Sequence, residues 1–438
     1  LELEVQSLAF GGAGVARHDG YVVFVAGALP GERVRAQVLR AKRAYAEARV
    51  LEVVRASPER LEPLADHPGA PWQILPYERQ LQVKQQLVDE ALRRLGHLDG
   101  FELEPIVAAQ QAWRYRNKLE YSFATGPSGE LICGFHAAGE WERVVALGDC
   151  LLASEASNRL RERALAQLRA AGVRAQDRRR GHGFVRNLVV REGRRSGQLQ
   201  VRLVTGSGSF DAEAFASALG DGVGVLWTTL DSPAEVTRGG RTRLLAGFER
   251  IEERLCGLRF AISPEAFFQT NTEMAERLYE VVLDYAHLTG FERVFDLYCG
   301  IGTIALVLAP RAAWVHGLEL CEQAVGDARA NAARNEVDNA SFAAGDVRVA
   351  LRELTAAAGR PDVVVVDPPR AGLSAKVVRR VIEAAPQRIV YVSCNPTTLA
   401  PNAAQLVAAG YRLVRARPVD MFPQTPHIEC VAELVRAR

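Results

Sequence analysis

The chain has 438 residues, of which 48% are hydrophobic and 24% charged, and its formal net charge is +2. At roughly 150 residues per domain this length exceeds a single ordinary core, and three domains are expected of a globular chain without low-complexity tracts. No run reaches the roughly 20 apolar residues of a membrane helix and the first residues carry no secretory apolar core, which points to a cytoplasmic protein with no membrane partner.

Residues 1–56 read as short strands at 3–8, 21–25, 33–40 and 49–54 around a glycine-rich turn at 10–14, the pattern of a small closed β-barrel. Lys42, Arg43 and Tyr45 fall in the turn before the last of these strands, where a basic and aromatic mix suits either RNA or an ordinary polar hairpin tip. Ser57-Pro58 and Pro63 mark a linker. From residue 77 to 95 the spacing of Leu81, Val88, Leu92 and Leu95 is helical and stops at Gly96. Strand-like runs at 118–123 and 131–135 flank the turn Thr125-Gly126-Pro127-Ser128-Gly129. Further runs at 184–191, 199–205 and 223–230 alternate with helical stretches near 155–171 and 211–219, so residues 57–256 are expected to form an α+β central domain. Between residues 174 and 202 nine arginines stand against Asp177 and Glu192, a local excess of +7 that is either a nucleic-acid patch or a solvated strand edge. Seven cysteines, odd in number and without a C-x-x-C pair, argue against a disulfide scaffold or a zinc ribbon.

From residue 257 to 438 strands at 293–297, 314–318, 340–343, 362–366, 388–392 and 411–416 alternate with helices, the signature of a parallel doubly wound α/β sheet. Ligands in such sheets bind outside the carboxyl ends of the strands. The loop from Asp296 through Tyr298, Gly300 and Gly302 to Thr303 joins the first strand to a helix, where glycines let the backbone approach a ligand. Glu319 ends the second strand and can accept hydrogen bonds from a ribose diol. Gly345-Asp346 follows the third, placed to hold an adenine amino group, and Asp367-Pro368-Pro369-Arg370 follows the fourth. The formal G-x-G-x-x-A match at Gly300, Gly302 and Ala305 leaves two cofactor chemistries in competition, a nicotinamide dehydrogenase and an S-adenosylmethionine (SAM) methyltransferase. A dehydrogenase has no use for the Asp367 turn or for a cysteine at the end of the next strand.

Ser393-Cys394-Asn395-Pro396 puts that cysteine in place, and Pro426-His427-Ile428-Glu429 adds a downstream carboxylate. A thiol at a strand end with a carboxylate downstream suggests covalent chemistry on an electrophilic carbon. Cys394 is the expected nucleophile and Glu429 the expected base. A free thiol with pKa about 8.5 is mostly protonated at neutral pH, so the site must favour thiolate or remove the proton on attack.

Taken in order, Phe267-Phe268-Gln269-Thr270-Asn271, the Asp296 loop, Asp367-Pro368-Pro369-Arg370, Ser393-Cys394-Asn395-Pro396 and His427-Ile428-Glu429 resemble the SAM-dependent RNA uridine-5-methyltransferases. Tyr115-Arg116-Asn117-Lys118 in the central domain is also similar to the family. The resemblance implies a Rossmann-like SAM methyltransferase domain at 257–438, with the cofactor held by Gln269, Asp296, Tyr298, Gly300, Gly302, Glu319, Asp346 and Asp367. It implies uracil contacts for Phe267, Gln269 and Asp367. The barrel resembles the OB-like TRAM domain of the ribosomal-RNA branch, which implies 23S ribosomal RNA as partner, with no obligate protein partner evident. Transfer-RNA methylation and RNA binding without catalysis are the alternatives. Many ribosomal-RNA members carry a four-cysteine iron–sulfur site. Here residues 64–73 contain no cysteine and Cys150 alone resembles a ligand, so no cluster is expected.

Overall fold

The computed structural model describes residues 1–177, 182–232 and 234–437, the side chain of Trp141 excepted. Its packing divides the chain into two units. The first comprises Leu1–Ala112, Asp284–Ala286 and Val363–Arg438, the second Trp113–Leu283 and His287–Asp362. These units cut the chain elsewhere than the three segments expected from sequence: residues 57–112 belong with the barrel, and position 256/257 falls in the turn of a hairpin, Ile251–Leu255 with Leu258–Ile262.

In the first unit, strands Glu2–Leu8, Gly14–His18, Tyr21–Ala26, Arg33–Ala41 and Tyr45–Arg55 close into a barrel. Alternation turns Leu3, Val5, Val23, Val25 and Val34 inward, and the small Ala46 and Ala48 let the wall close tightly. Gly14–His18 is a strand beyond the four expected; Asp19-Gly20, with φ of 50° and 80°, makes the two-residue hairpin turn that signals it. The helix Tyr77–Glu90 follows and runs into a π-turn at Ala91–Leu95. Strands Val363–Val366, Arg388–Ser393, Glu429–Arg436, Tyr411–Val419 and Glu102–Leu103 lie side by side in that order. Glu429–Arg436, absent from the expected strands, runs antiparallel to both its neighbours, so this part of the sheet is mixed. Val363–Val366 is four buried valines, the composition of a strand covered on both faces.

The second unit contains a seven-stranded sheet in the order Arg241–Ala246, Val223–Thr229, Leu199–Thr205, Val185–Glu192, Lys118–Thr125, Leu131–Ala137, Glu140–Ala146, with helices Glu155–Ala170 and Ala212–Leu219. It also holds the parallel strands Ala340–Ala344, Trp314–Glu319 and Arg293–Leu297, adjacent in that order. The arginine-rich stretch is largely internal rather than an RNA patch. Arg186 donates to the carbonyls of Leu230, Ser232 and Ala234, Arg191 to those of Ser263 and Ala266, and Arg202 to Thr237 O and Glu265. Arg194 and Arg195 pair with Glu273 and Glu276. Guanidinium suits this work because five fixed donors can satisfy several carbonyls at once. Arg178, Arg179 and Arg180 lie outside the described residues. Among the described residues no helix is long and apolar enough to cross a membrane.

Candidate active site

Each unit gathers one group of the residues singled out in the sequence. In the second unit the cofactor loop leaves the strand Arg293–Leu297 by a tight turn. Tyr298 N–H and Cys299 N–H both donate to Leu318 O, at 2.9 and 3.1 Å, which fastens the loop to the neighbouring strand. This geometry forces Tyr298 to φ 71°, an unusual value for a residue with a side chain. Gly302 has φ 84°, and a Cβ there would sit 3.1–3.2 Å from Phe342 and Ala328, so glycine is required on two counts. Glu319 is already aimed at the loop: it accepts from Gly300 N–H at 3.1 Å and from Cys321 N–H at 2.9 Å. Asp346 caps the helix Val347–Ala358 and is gripped by Arg348. Burial, then the Asp346 and Glu319 carboxylates, push the Tyr298 hydroxyl up to about 12, so these three groups share one locality. Asp296, fully buried, ends the strand beneath them.

Phe267 and Gln269 belong to the same unit. Phe267 is 57% exposed, whereas Gln269 is buried. The segment is pinned from Tyr115-Arg116-Asn117-Lys118: Asn117 Nδ2 donates to Gln269 O at 2.8 Å and to Thr272 Oγ1 at 2.9 Å, and Asn117 N–H donates to Thr270 O. Tyr115 and Asn117 are buried, so this motif braces the Phe267 loop.

In the first unit Cys394 ends the strand Arg388–Ser393. Ser393 pairs with Cys430 on the antiparallel strand, and one step further that register brings Cys394 level with Glu429. Asp367 ends the parallel neighbour on the other side. Two residues to which sequence reasoning gave no role hold these ends together. Asn395 caps the helix Pro396–Ala408 and donates from Nδ2 to Arg370 O at 3.0 Å. Asn402, buried, joins Leu373 to Tyr391. Asn followed by Pro at the first helical position is the signal that marks Asn395 in the sequence.

The three reactive groups titrate unusually. Burial pushes the Cys394 thiol up to about 12, with Glu429 and Asp367 adding to the rise and Arg370 opposing it. A thiol beside a helix N-terminus would ordinarily be lowered; here desolvation and two carboxylates outweigh that effect. Asp367 rises to about 7 by desolvation. Glu429, buried and next to Asp367, is held well above the usual carboxylate range. The resting site therefore favours the neutral forms of both the thiol and the Glu429 carboxyl.

Residues 236–437 match the family model described as tRNA (uracil-5-)-methyltransferase, and residues 1–51 match that of the TRAM domain. RNA methyltransferases of Gloeobacter violaceus and Halalkalibacterium halodurans, neither of them characterized, are 40% and 36% identical to this chain, each over 99% of it and 96% of the relative. The chain belongs to the RNA uracil-5-methyltransferase family. The crystal structure of the Pyrococcus abyssi tRNA (uracil-54, C5)-methyltransferase with S-adenosyl-L-homocysteine is 30% identical, with a TM-score of 0.81 over 99% of this chain and 100% of that one. The family's Rossmann-like methyltransferase fold and TRAM barrel are thus both present. The residues around Tyr298 fit a SAM-type ligand: two carboxylates at successive strand ends and a loop with open space beside Gly300. A four-cysteine cluster does not fit the chain, since residues 64–73 lack cysteine and the buried Cys150 is bonded through its backbone to Asn158.

Proposed function

We propose that the protein transfers the methyl group of SAM to C5 of a uridine in RNA, with Cys394 adding to C6 and Glu429 removing the C5 proton. One observation carries this reading: Cys394, Glu429 and Asp367 sit at the ends of three adjacent strands, and the two carboxylates add to burial in raising the thiol. SAM supplies an electrophilic methyl group on a sulfonium centre. Glu319 would take its ribose diol and Asp346 its adenine amino group, with Asp296, Tyr298, Gln269 and the backbone at Gly300 and Gly302 completing the cradle. Cys394 gives up its proton to water as the bond to C6 forms, which converts C4–C5 into an enolate, and Glu429 enters the later step as its ionised carboxylate. A carboxyl with pKa about 7 presents both a donor and an acceptor at neutral pH, and Asp367 can thus meet the uracil O4 and N3–H together. Glu429, raised well above the ordinary range, has the base strength to take the C5 hydrogen, after which the S–C6 bond breaks. Exposed Phe267 is available to stack on a base taken out of its helix.

We propose 23S ribosomal RNA as the substrate, held in part by the TRAM barrel and its Lys42, Arg43 and Tyr45 turn. A transfer-RNA uridine is the second reading, favoured by the P. abyssi enzyme, whose likeness extends over the barrel too; the barrel alone therefore does not separate the branches. Labelled SAM offered with 23S fragments and with unmodified tRNA tests both. We expect 5-methyluridine in the 23S fragments; label in tRNA alone reverses the choice of RNA, and label in neither overturns the reaction. In Cys394→Ala we expect methyl transfer to fall by at least ~10³-fold while SAM affinity is kept, because the thiol acts on the base alone. Full activity in that variant removes the covalent mechanism.

A further inference from the structure

The loop leading into Glu429 is built unlike a surface turn. Residues 420–428 join the strands Tyr411–Val419 and Glu429–Arg436, and Val419 pairs with Glu429 at the mouth of the hairpin. Loops usually run exposed, yet all nine residues except Phe422 and His427 are buried. Within the first unit the cover comes from residues 72–84 and from the first turn of the barrel.

Gln80, fully buried on the helix Tyr77–Glu90, meets Gln424 twice: its Nε2 donates to Gln424 Oε1 at 2.9 Å, and its Oε1 accepts from Gln424 N–H at 2.9 Å. Trp72 N–H donates to Gln424 O, also at 2.9 Å. Gln424 is held at φ 63°, a left-handed conformation that a glutamine adopts only when its surroundings impose it. Lys84 Nζ reaches Asp420 Oδ1 at 2.6 Å and Phe422 O at 3.1 Å, with Lys84 and Asp420 both fully buried. On the barrel side Gly12 has φ 89°, and a Cβ there would lie 2.8 Å from Pro426 Cβ and from Trp72 Nε1.

We propose that Gln80, acting through Gln424, is a positioning residue for the base Glu429, and that the barrel turn at Gly12 closes the same clamp. The inference rests on the assignment of Glu429 as base. A clamp on the hairpin loop fixes where the Glu429 carboxylate points, and proton abstraction from carbon is sensitive to that placement: a misplacement of about 1 Å can cost ~10²-fold. Addition of Cys394 and methyl transfer precede this step. Loosening the clamp therefore slows release of the enzyme from RNA and leaves the earlier steps intact.

The test is Gln80→Met, with Glu429→Gln as reference and Gly12→Ala as a milder second variant, all in the full chain with RNA that the unaltered protein methylates. We expect turnover in Gln80→Met to drop by at least ~10-fold, single-turnover methyl transfer to stay within about threefold, and a denaturation-resistant protein–RNA adduct to accumulate as in Glu429→Gln. Gly12→Ala should show the same adduct at a lower level and carries the test if Gln80→Met does not fold. An adduct in Glu429→Gln but in neither clamp variant overturns the inference alone. No adduct in Glu429→Gln itself, with turnover unimpaired, overturns the assignment of the base and the inference with it.

Discussion

The two groups of site residues are made in different ways. Around Tyr298 the work is done by backbone: positive φ at Tyr298, Gly300 and Gly302, N–H groups already bonded to Glu319, and glycine where a Cβ would strike Phe342. Around Cys394 it is done by buried side chains, a thiol and two carboxylates each moved from its ordinary pKa. A surface that must recognise a preformed ligand can be fixed in conformation. A centre that must make and break bonds has to be fixed in protonation instead, and desolvation is the means.

That contrast can be broken most sharply at the thiol. Because Cys394 is raised to about 12, the neutral thiol predominates below that pH. At pH 8 its thiolate fraction is ~10³-fold below that of a free cysteine, and alkylation by iodoacetamide should be slower by a similar factor, rising about tenfold per pH unit from 7 to 10. Mass spectrometry of the Cys394 peptide, with exposed Cys321 as the measure of solvent access, reads this directly. A plateau reached by pH 8 would show that the site favours thiolate without RNA. Next in size is Gly302→Val. A β-branched residue at φ 84°, with its Cβ pressed on Phe342 and Ala328, costs about 3 kcal/mol in the loop, which lowers SAM affinity by about 100-fold by calorimetry. Cys394 alkylation should not change in that variant, and a parallel change would erase the distinction between the two groups. The smallest effect is expected at the barrel. Arg43→Ala, at an exposed position, should reduce the slope of log affinity against log salt for RNA by about one; an unchanged slope takes that turn out of the interface.

What was legible in the sequence follows the same division. Glycine spacing and strand ends are local, so Asp296, Tyr298, Gly300, Gly302, Glu319 and Asp346 could be read in order and do gather at successive turns. The partnership of Cys394 with Glu429 was legible only as two motifs, because what joins them is the pairing of Arg388–Ser393 with Glu429–Arg436, a register set by tertiary packing. Charge was the least legible property. Arg186, Arg191 and Arg202 look like a basic face in one dimension, but they are buried and donate to carbonyls and Glu265 inside the second unit. Gln80 and Gln424, 344 positions apart, carry no signal in sequence that either needs the other.

The first unit takes Leu1–Ala112 from one end of the chain and Val363–Arg438 from the other, with nearly all of the second unit's residues between them. During synthesis the barrel and the helix bearing Gln80 and Lys84 emerge long before Asp420 and Gln424 exist. Trp72, Gln80 and Lys84 must then wait with their partners missing, while residues 113–362 can already fold on nearer contacts. The strand that begins at Glu429 is thus made after the barrel and after residues 113–362. A nascent chain stalled before residue 420 would hold a complete cofactor loop and Cys394 but neither Gln424 nor Glu429, so the thiol is made before the carboxylate proposed to work with it.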